Sequence, residues 1–162
     1  MKTLADAFEH TLQDIYYAEN QITKALPKMQ EAAGDAALKE AFAAHLTETK
    51  EQIKLLKKVF KSVGAEAKGE KCDAIEGLIK EGEGIIEEAE GTALDAMLIG
   101  AAQAVEHYEI ARYGTLREWA KQLGHDEAHD LLSQILDMEK AANAKLTGLA
   151  VQGVNTPSGK KK

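Results

Sequence analysis

The sequence has little cysteine, proline or aromatic side chain, with one cysteine, two prolines and 5% aromatic residues among 162. A lone Cys72 excludes an internal disulfide and is typical of a reducing compartment, so we expect a cytoplasmic protein. Two prolines are too few for a turn-rich all-β chain or a proline-rich linker protein. No apolar run approaches the roughly 18 residues of a membrane span, and acidic residues interrupt the start of the chain. We therefore expect neither a membrane helix nor a signal peptide.

The charge balance is acidic, with 27 Asp and Glu against 20 Lys and Arg and a formal net charge of -7. Nucleic-acid and anionic-membrane binders need a basic face, so we expect neither kind of partner. The basic run at 160–162 follows Pro157, Ser158 and Gly159, and we expect it to be a solvated end. With 44% hydrophobic and 29% charged residues, the composition is that of a globular domain large enough to bury its own core.

Helix-forming residues dominate the chain, and no segment alternates between polar and apolar residues for long, which predicts an all-α fold. Gly64 and Gly124 are expected to end helices, and Asp126 to cap the last one. The predicted long helices cover about 3–33, 35–63, 92–123 and 126–151.

The chain between the second and third long helices, 64–91, has apolar residues at helical spacing and predicts one or two shorter helices. Two αα-hairpins joined by one long crossover are the topology of a ferritin-like four-helix bundle. We expect this bundle to be a single domain over residues 1–151, followed by a flexible C-terminal tail over 152–162.

Polar side chains interrupt the apolar face of every long helix. Glu19, for example, continues the helical spacing between Ile15 and Ile22. An ionised carboxylate removed from water without a partner costs several kcal/mol, so cations or protons must neutralise such a set. The inward-facing polar residues are Glu19 in the first helix, His45, Glu48 and Gln52 in the second, Glu106 and Glu109 in the third, and Glu139 and Asn143 in the fourth.

The four main carboxylates are predicted to lie at one height in the bundle. Glu19 and Glu48 are each about 22 Å from the first hairpin turn, at roughly 1.5 Å per helical residue. Glu106 and Glu139 are each about 25 Å from the second turn on the same scale. Four convergent carboxylates with one histidine form an oxygen-rich cage suited to iron or manganese, as in the dinuclear sites of ferritin-like bundles.

Each of these residues also has a simpler interpretation. A single interior glutamate is more often a rim residue whose stem lies along apolar surface, although four at one height favour a metal site. His45 is either a ligand or a hydrogen-bonded core histidine, and Glu109 is either a ligand or an outer acceptor. Gln52, Asn143 and Tyr113 are expected just outside the ligands, where core packing is the more frequent role of a tyrosine.

Several segments resemble the bacterial YciE/YciF family over nearly the whole chain. They are LPKM from Leu26, HLTET from His45, VEHYEI from Val105, YGTL from Tyr113 and WAKQLGHD from Trp119. The VEHYEI segment is the most specific of them. The family is ferritin-like, dimeric and linked with stress responses, so the resemblance implies a homodimer.

The resemblance also implies a dinuclear metal centre, with iron favoured over manganese. The expected activity is oxidation of Fe(II) or consumption of oxygen or peroxide, with Glu48 and Glu139 bridging the ions. Most such bundles have Glu-x-x-His on two helices, whereas here the histidine comes first, as His45-x-x-Glu48. The implied ligands are Glu19, His45, Glu48, Glu106, Glu109 and Glu139.

A second hypothesis is a stress-induced helical dimer without catalytic activity, in which the metal is structural or vestigial. Such a protein would bind a protein partner through an apolar patch on the crossover. The predicted patch consists of Ile75, Ile79 and Ile86, on the outward face of the crossover helices.

Overall fold

The computed structural model describes residues 1–156, and within them all regular structure is helical. The predicted all-α fold is therefore confirmed. The basic run at 160–162 and the last part of the predicted tail lie outside the described residues. The helices are α1 (Leu4–Ala32), α2 (Ala36–Ser62), α3 (Asp73–Glu88), α4 (Gly91–Gln122) and α5 (Asp126–Leu149), followed by a π-helical turn (Ala150–Val154).

The four long helices form the predicted bundle. The hairpin of α1 and α2 packs on the hairpin of α4 and α5, with α2 against α5 and α1 against α4. The crossover contains one helix, α3, which packs against both α1 and α4. This is the ferritin-like arrangement of two hairpins and one long connection. No helix described within residues 1–156 combines the length and apolarity that a membrane span needs.

Side-chain caps fix where the first two helices begin. The Thr3 hydroxyl accepts a hydrogen bond from the Asp6 N–H (3.1 Å), and the Asp6 carboxylate accepts one from the Thr3 N–H (3.1 Å). At the second helix, Asp35 Oδ1 accepts from the N–H groups of Ala37 (2.8 Å) and Leu38 (3.1 Å). These bonds satisfy donors that a helix start otherwise leaves unpaired.

The later helix ends depend on glycine. Gly64 and Gly124 follow α2 and α4 with φ of 72° and 74°, a left-handed conformation that glycine adopts without steric strain. The predicted cap of the last helix is wrong, because His125 occupies the cap position and makes no side-chain cap hydrogen bond. Asp126 is instead the first residue of α5, where its negative charge still favours the helix start.

The α3 helix turns its apolar side toward the bundle. Ile75 is fully buried, and Ile79 and Ile86 pack against the core. The predicted outward patch on the crossover is therefore wrong. The physical reason is that α3 packs on both α1 and α4, and its apolar stripe faces these two helices rather than solvent.

A polar layer divides the apolar core of the bundle into two parts. Its position along the helices corresponds to Glu19, Gln52, Glu109 and Glu139, all of which are buried. Fully buried apolar side chains lie on either side of this layer, with Leu12, Phe60, Leu116 and Leu132 toward one end and Leu38, Phe42, Leu98 and Ile99 toward the other.

Asp95 joins the turn of the first hairpin to the second hairpin. Its buried carboxylate accepts hydrogen bonds from the backbone N–H groups of Gly34 (2.6 Å) and Asp35 (2.9 Å). Because Asp95 belongs to α4, these two bonds fix the α1–α2 turn against the start of α4.

We expect Asp95→Ala to lower the free energy of unfolding by about 2–3 kcal/mol, because two N–H groups lose a charged acceptor. Urea unfolding followed by circular dichroism measures this change. The matched control is Asp137→Ala on α5, whose side chain is 81% exposed and which should stay within about 0.5 kcal/mol of the wild type. Equal effects of the two substitutions would contradict the proposed role of Asp95 in fixing the α1–α2 turn against α4.

Candidate metal centre

Every helix of the bundle contributes a buried ionisable side chain to the polar layer. The exposed fraction is 0% for Glu19, Glu109 and Glu139, 2% for Glu106 and 8% for His45. Glu19 comes from α1, His45 from α2, Glu106 and Glu109 from α4, and Glu139 from α5. The helical periodicity that buries their apolar neighbours also points these side chains inward.

Four of these side chains converge closely. One ligand atom from each of His45, Glu106, Glu109 and Glu139 lies within 4.8 Å of the other three. His45 Nε2 is 3.4 Å from Glu106 Oε1. Oxygen and nitrogen ligands bind a divalent ion at roughly 2.0–2.2 Å, so ligand atoms on opposite sides of one ion are about 4 Å apart. The four side chains are therefore spaced as ligands of a single ion would be.

The hydrogen bonding of the layer is incomplete in a way that fits a cation. Within residues 1–156, every buried side-chain nitrogen or oxygen without a hydrogen-bond partner belongs to this layer. Buried polar groups in proteins are almost always paired, and lone pairs that face one another suit a cation. The unpaired atoms are Glu19 Oε2, His45 Nδ1, Gln52 Oε1, Glu106 Oε2, both carboxylate oxygens of Glu109, and Glu139 Oε2.

Burial changes the protonation of the layer. It raises the pKa of Glu19 to about 8 and that of Glu106 to about 7. Burial, and then the neighbouring carboxylates, raise the pKa values of Glu109 and Glu139 well above their ordinary value. Burial also lowers the pKa of His45 to about 4, so that its imidazole is neutral at physiological pH.

No lysine or arginine within residues 1–156 forms an ion pair with any of these glutamates. The negative charge of the layer is therefore compensated either by protons on the carboxyl groups or by a bound cation. Divalent metal ions replace such protons when they bind, because a carboxylate ligand must be deprotonated.

Two neighbouring side chains orient the carboxylates. The Tyr113 hydroxyl donates a hydrogen bond to Glu19 Oε1, and Gln52 Nε2 donates one to Glu139 Oε1 at 2.6 Å. In both glutamates the second oxygen keeps its lone pairs unused. Outer hydrogen bonds of this kind hold metal ligands in one orientation. Asn143 lies half-buried on α5, where its side-chain oxygen accepts from Gln103 (3.1 Å), a residue outside the layer.

Glu48, which the sequence predicts to bridge two ions, lies at the edge of the layer. Its side chain is 48% exposed, and Glu48 Oε2 lies 4.0 Å from His45 Nδ1 at the solvent edge of the layer. The buried residues of α2 at this height are His45, Thr49 and Gln52. Thr49 lies in the middle of this buried stripe. Neighbouring residues of a helix point about 100° apart, so the Glu48 side chain points away from the middle of the stripe.

The sequence of residues 3–158 matches the family described as Domain of unknown function (DUF892). The chain belongs to the DUF892 family. It is 49% identical over 157 residues to the protein YciF of Escherichia coli strain K12, an alignment that covers 96% of this chain and 95% of YciF. The resemblance to the YciE/YciF family is therefore confirmed.

Solved structures agree with this DUF892 assignment. The crystal structure of the E. coli stress protein YciF has a TM-score of 0.91 and 48% identity, covering 94% of this chain and 97% of the other. YcfI of Rhodopseudomonas palustris, which is described as a structural protein, has a TM-score of 0.87 and 54% identity, covering 90% and 94%. A protein of Xanthomonas campestris, at 20% identity and a TM-score of 0.72, shows the same fold.

This DUF892 protein is thus similar to a stress protein and has a buried cluster of carboxylates and one imidazole that could hold a metal ion.

Proposed function

We propose that this DUF892 protein is a dinuclear metal oxidoreductase that oxidises Fe(II) with oxygen or peroxide during stress, in the cytoplasm. The observation that carries the proposal is the set of buried, unpaired ligand atoms on four carboxylates and one imidazole. The description of its relative YciF as a stress protein supports the physiological context. The homodimer expected from the family resemblance is part of the same proposal.

The ligands divide into two groups by their position in the layer. His45, Glu106, Glu109 and Glu139 would hold one ion, because their ligand atoms share one small volume. Glu19 would hold a second ion with the help of Glu109 and Glu139, whose charges interact with its own. Iron suits these oxygen-rich ligands, and manganese does so equally by ligand type.

Bound metal ions would supply the redox chemistry, a two-electron reduction of peroxide that would consume two electrons from Fe(II) and two protons and would yield two waters. The protein binds the ions, holds the carboxylates in position and keeps bulk water out. Neutral His45 offers a lone pair without first losing a proton. Gln52 and Tyr113 fix the orientation of Glu139 and Glu19.

Metal analysis and anaerobic Fe(II) titration test the proposal. We expect about two ions per chain in the wild type, and a ferric absorbance after addition of oxygen or peroxide. Glu139→Gln should weaken metal binding by about 100-fold or more, because replacing even an outer partner of a ligand costs 10–100-fold. Glu40→Gln is the matched control on the exposed face of α2 and should keep both properties. A wild type that binds no metal would overturn the proposal, as would equal losses in both variants.

A structural role is the second candidate, since the relative YcfI is described as structural. In that case the metal would raise the melting temperature, and Fe(II) would bind but not be oxidised. The same titration separates the two functions, because binding and ferric absorbance are measured independently.

A further inference from the structure

Lysine side chains form a stripe along the exposed face of α2. Between residues 50 and 61 the helix has five lysines and a single acidic residue, Glu51, and all six are exposed. At about 100° per residue, the lysines point into an arc of about 100°, on the side of α2 that faces away from its buried residues. This lysine stripe is about 16 Å long at 1.5 Å per residue. It consists of Lys50, Lys54, Lys57, Lys58 and Lys61.

Most of the positive charge of the lysine stripe has no partner in the chain. Lys54 Nζ lies 2.8 Å from Glu51 Oε2, and none of the other four lysines forms an ion pair within residues 1–156. A lysine in the last turn of a helix interacts favourably with the helix dipole, which accounts for Lys61. The dipole effect does not extend beyond the last turn, so it does not explain the lysines that precede Lys61. The stripe therefore offers a row of uncompensated positive charges to solvent.

A row of positive charges is complementary to a row of negative charges with a similar spacing. Each strand of a DNA duplex has one phosphate per about 3.4 Å of helix axis, so about 16 Å of duplex presents about five phosphates of one strand. The lysine stripe presents five ammonium groups over the same length. Both the sign and the spacing of the charges therefore fit the backbone of one strand of a duplex.

The side chains of α2 disfavour two other anionic partners. Single-stranded nucleic acids bind largely by stacking on aromatic side chains, but both phenylalanines of α2 are buried, and the helix has no tyrosine or tryptophan. Helices that bind a lipid surface insert apolar side chains into it, and α2 has no exposed large apolar side chain. The exposed large apolar side chains within residues 1–156 are Met1, Leu4, Met97 and Val151.

The net charge of -7 predicts no nucleic-acid partner for the chain as a whole. At physiological ionic strength, however, charges are screened over about 8 Å, whereas the bundle is two helix diameters across, or about 20 Å. Acidic residues on the far side of the bundle are therefore screened from a duplex that lies along α2. The local charge of the lysine stripe decides whether such a duplex binds.

We propose that the lysine stripe of α2 binds the phosphate backbone of double-stranded DNA without reading its sequence. Contacts from lysine to phosphate position a protein on a duplex but carry no sequence information. The proposal goes beyond the metal chemistry and does not depend on it. His45 and Gln52 are on the buried side of α2, whereas the stripe is on the exposed side.

Fluorescence anisotropy of a short labelled DNA duplex, titrated with the full chain at about 50–200 mM NaCl, tests the proposal. We expect a dissociation constant of about 1–100 μM, which is typical of non-specific binding. Each phosphate contact contributes about -0.9 to the slope of log K against log salt concentration, so the stripe should give a slope of about -4. No binding at the lowest salt concentration would overturn the proposal, as would a slope near zero.

A matched pair of double substitutions locates the binding surface. Lys50→Gln with Lys57→Gln should weaken binding about tenfold or more and should reduce the size of the slope by about 2. Lys24→Gln with Lys80→Gln removes two exposed lysines from α1 and α3 and should change neither value. Lysine and glutamine have similar helix propensities, and the basic run at 160–162 is present in every variant, so the comparison isolates the stripe. Equal effects of the two double substitutions, or no effect of either, would overturn the proposal.

Vesicles of phosphatidylglycerol separate a duplex from a lipid surface as the partner. We expect the vesicles to bind more weakly than the duplex at the same salt concentration. If they bind more tightly, and if Lys50→Gln with Lys57→Gln removes that binding, the stripe is a membrane site and the proposal is wrong. Glu139→Gln should bind the duplex as the wild type does, so the outcome for DNA is independent of the outcome for metal.

Discussion

The substitution Glu109→Gln is expected to make the metal-free protein more stable and to remove the stabilisation that we expect from a bound divalent metal. Glu109 is fully buried, and neither of its carboxylate oxygens has a hydrogen-bond partner. An ionised carboxylate is costly to bury without a partner, so a neutral side chain of the same shape should raise the free energy of unfolding of the metal-free protein by about 1–3 kcal/mol. The new amide can also donate hydrogen bonds to the neighbouring carboxylates of the layer.

Thermal unfolding with and without Mn(II) measures both parts of this prediction. A gain of about 1–3 kcal/mol corresponds to several degrees in Tm, at roughly 2–4 °C per kcal/mol for a domain of this size. In the wild type, Mn(II) should raise Tm, while in Glu109→Gln it should have little effect. The control Glu40→Gln changes an exposed carboxylate of α2 away from the layer and should alter neither value. If metal-free Glu109→Gln has a lower Tm than the wild type, the buried Glu109 carboxyl does not destabilise the metal-free protein as predicted.

The metal-free protein is also expected to lose stability as the pH rises above about 6.5. The carboxyls of Glu19 and Glu106 have an ordinary pKa of 4.5 and folded pKa values of about 8 and about 7. At neutral pH the folded state therefore binds more protons than the unfolded state. Their contribution is fully present below pH 4.5 and is lost as the pH passes through 7 and 8. Each carboxyl that stays protonated only in the folded state reduces stability by about 1.4 kcal/mol per pH unit.

His45 changes the free energy of unfolding in the opposite direction at lower pH. Its folded pKa of about 4 lies below the ordinary 6.5, so the unfolded state binds the extra proton between these values. This term raises stability with pH up to 6.5 and is constant above it, which makes pH 6.5–8 the informative window. Chemical unfolding of chelator-treated protein across this window measures the slope of the free energy of unfolding against pH. Saturating Mn(II) should reverse it, because the metal displaces the protons. If the stability of the metal-free protein does not change across this pH range, the carboxyl groups of the layer are not protonated as predicted.

The sequence predicts the fold and most of the layer because helical periodicity is local. Glu19, Glu106 and Glu139 each interrupt a narrow apolar stripe, and a polar residue on such a stripe can face only inward. The all-α class, the two hairpins and the crossover follow from the same pattern and from the glycines at helix ends. These features need no knowledge of which helix packs on which.

The rotation of α2 and of α3 about their own axes could not be predicted in the same way. The apolar face of α2 is broad, since Leu55 and Val59 widen it, so periodicity alone does not separate Glu48 from Gln52. In the structure α2 packs against both α1 and α5, and this packing buries His45, Thr49 and Gln52. An amphipathic crossover helix can likewise face either the bundle or a partner.

The order of the ligands along the chain has a consequence for biosynthesis. Glu19 and His45 lie in the first hairpin, while Glu106, Glu109 and Glu139 lie in the second, beyond the crossover. During translation the amino-terminal hairpin emerges first, and it supplies a single carboxylate and a single imidazole to the layer. The other carboxylates arrive only after α4 and α5 have left the ribosome and docked. A nascent chain therefore cannot assemble the layer early, and a metal ion could be held by the full set of side chains only after both hairpins have docked.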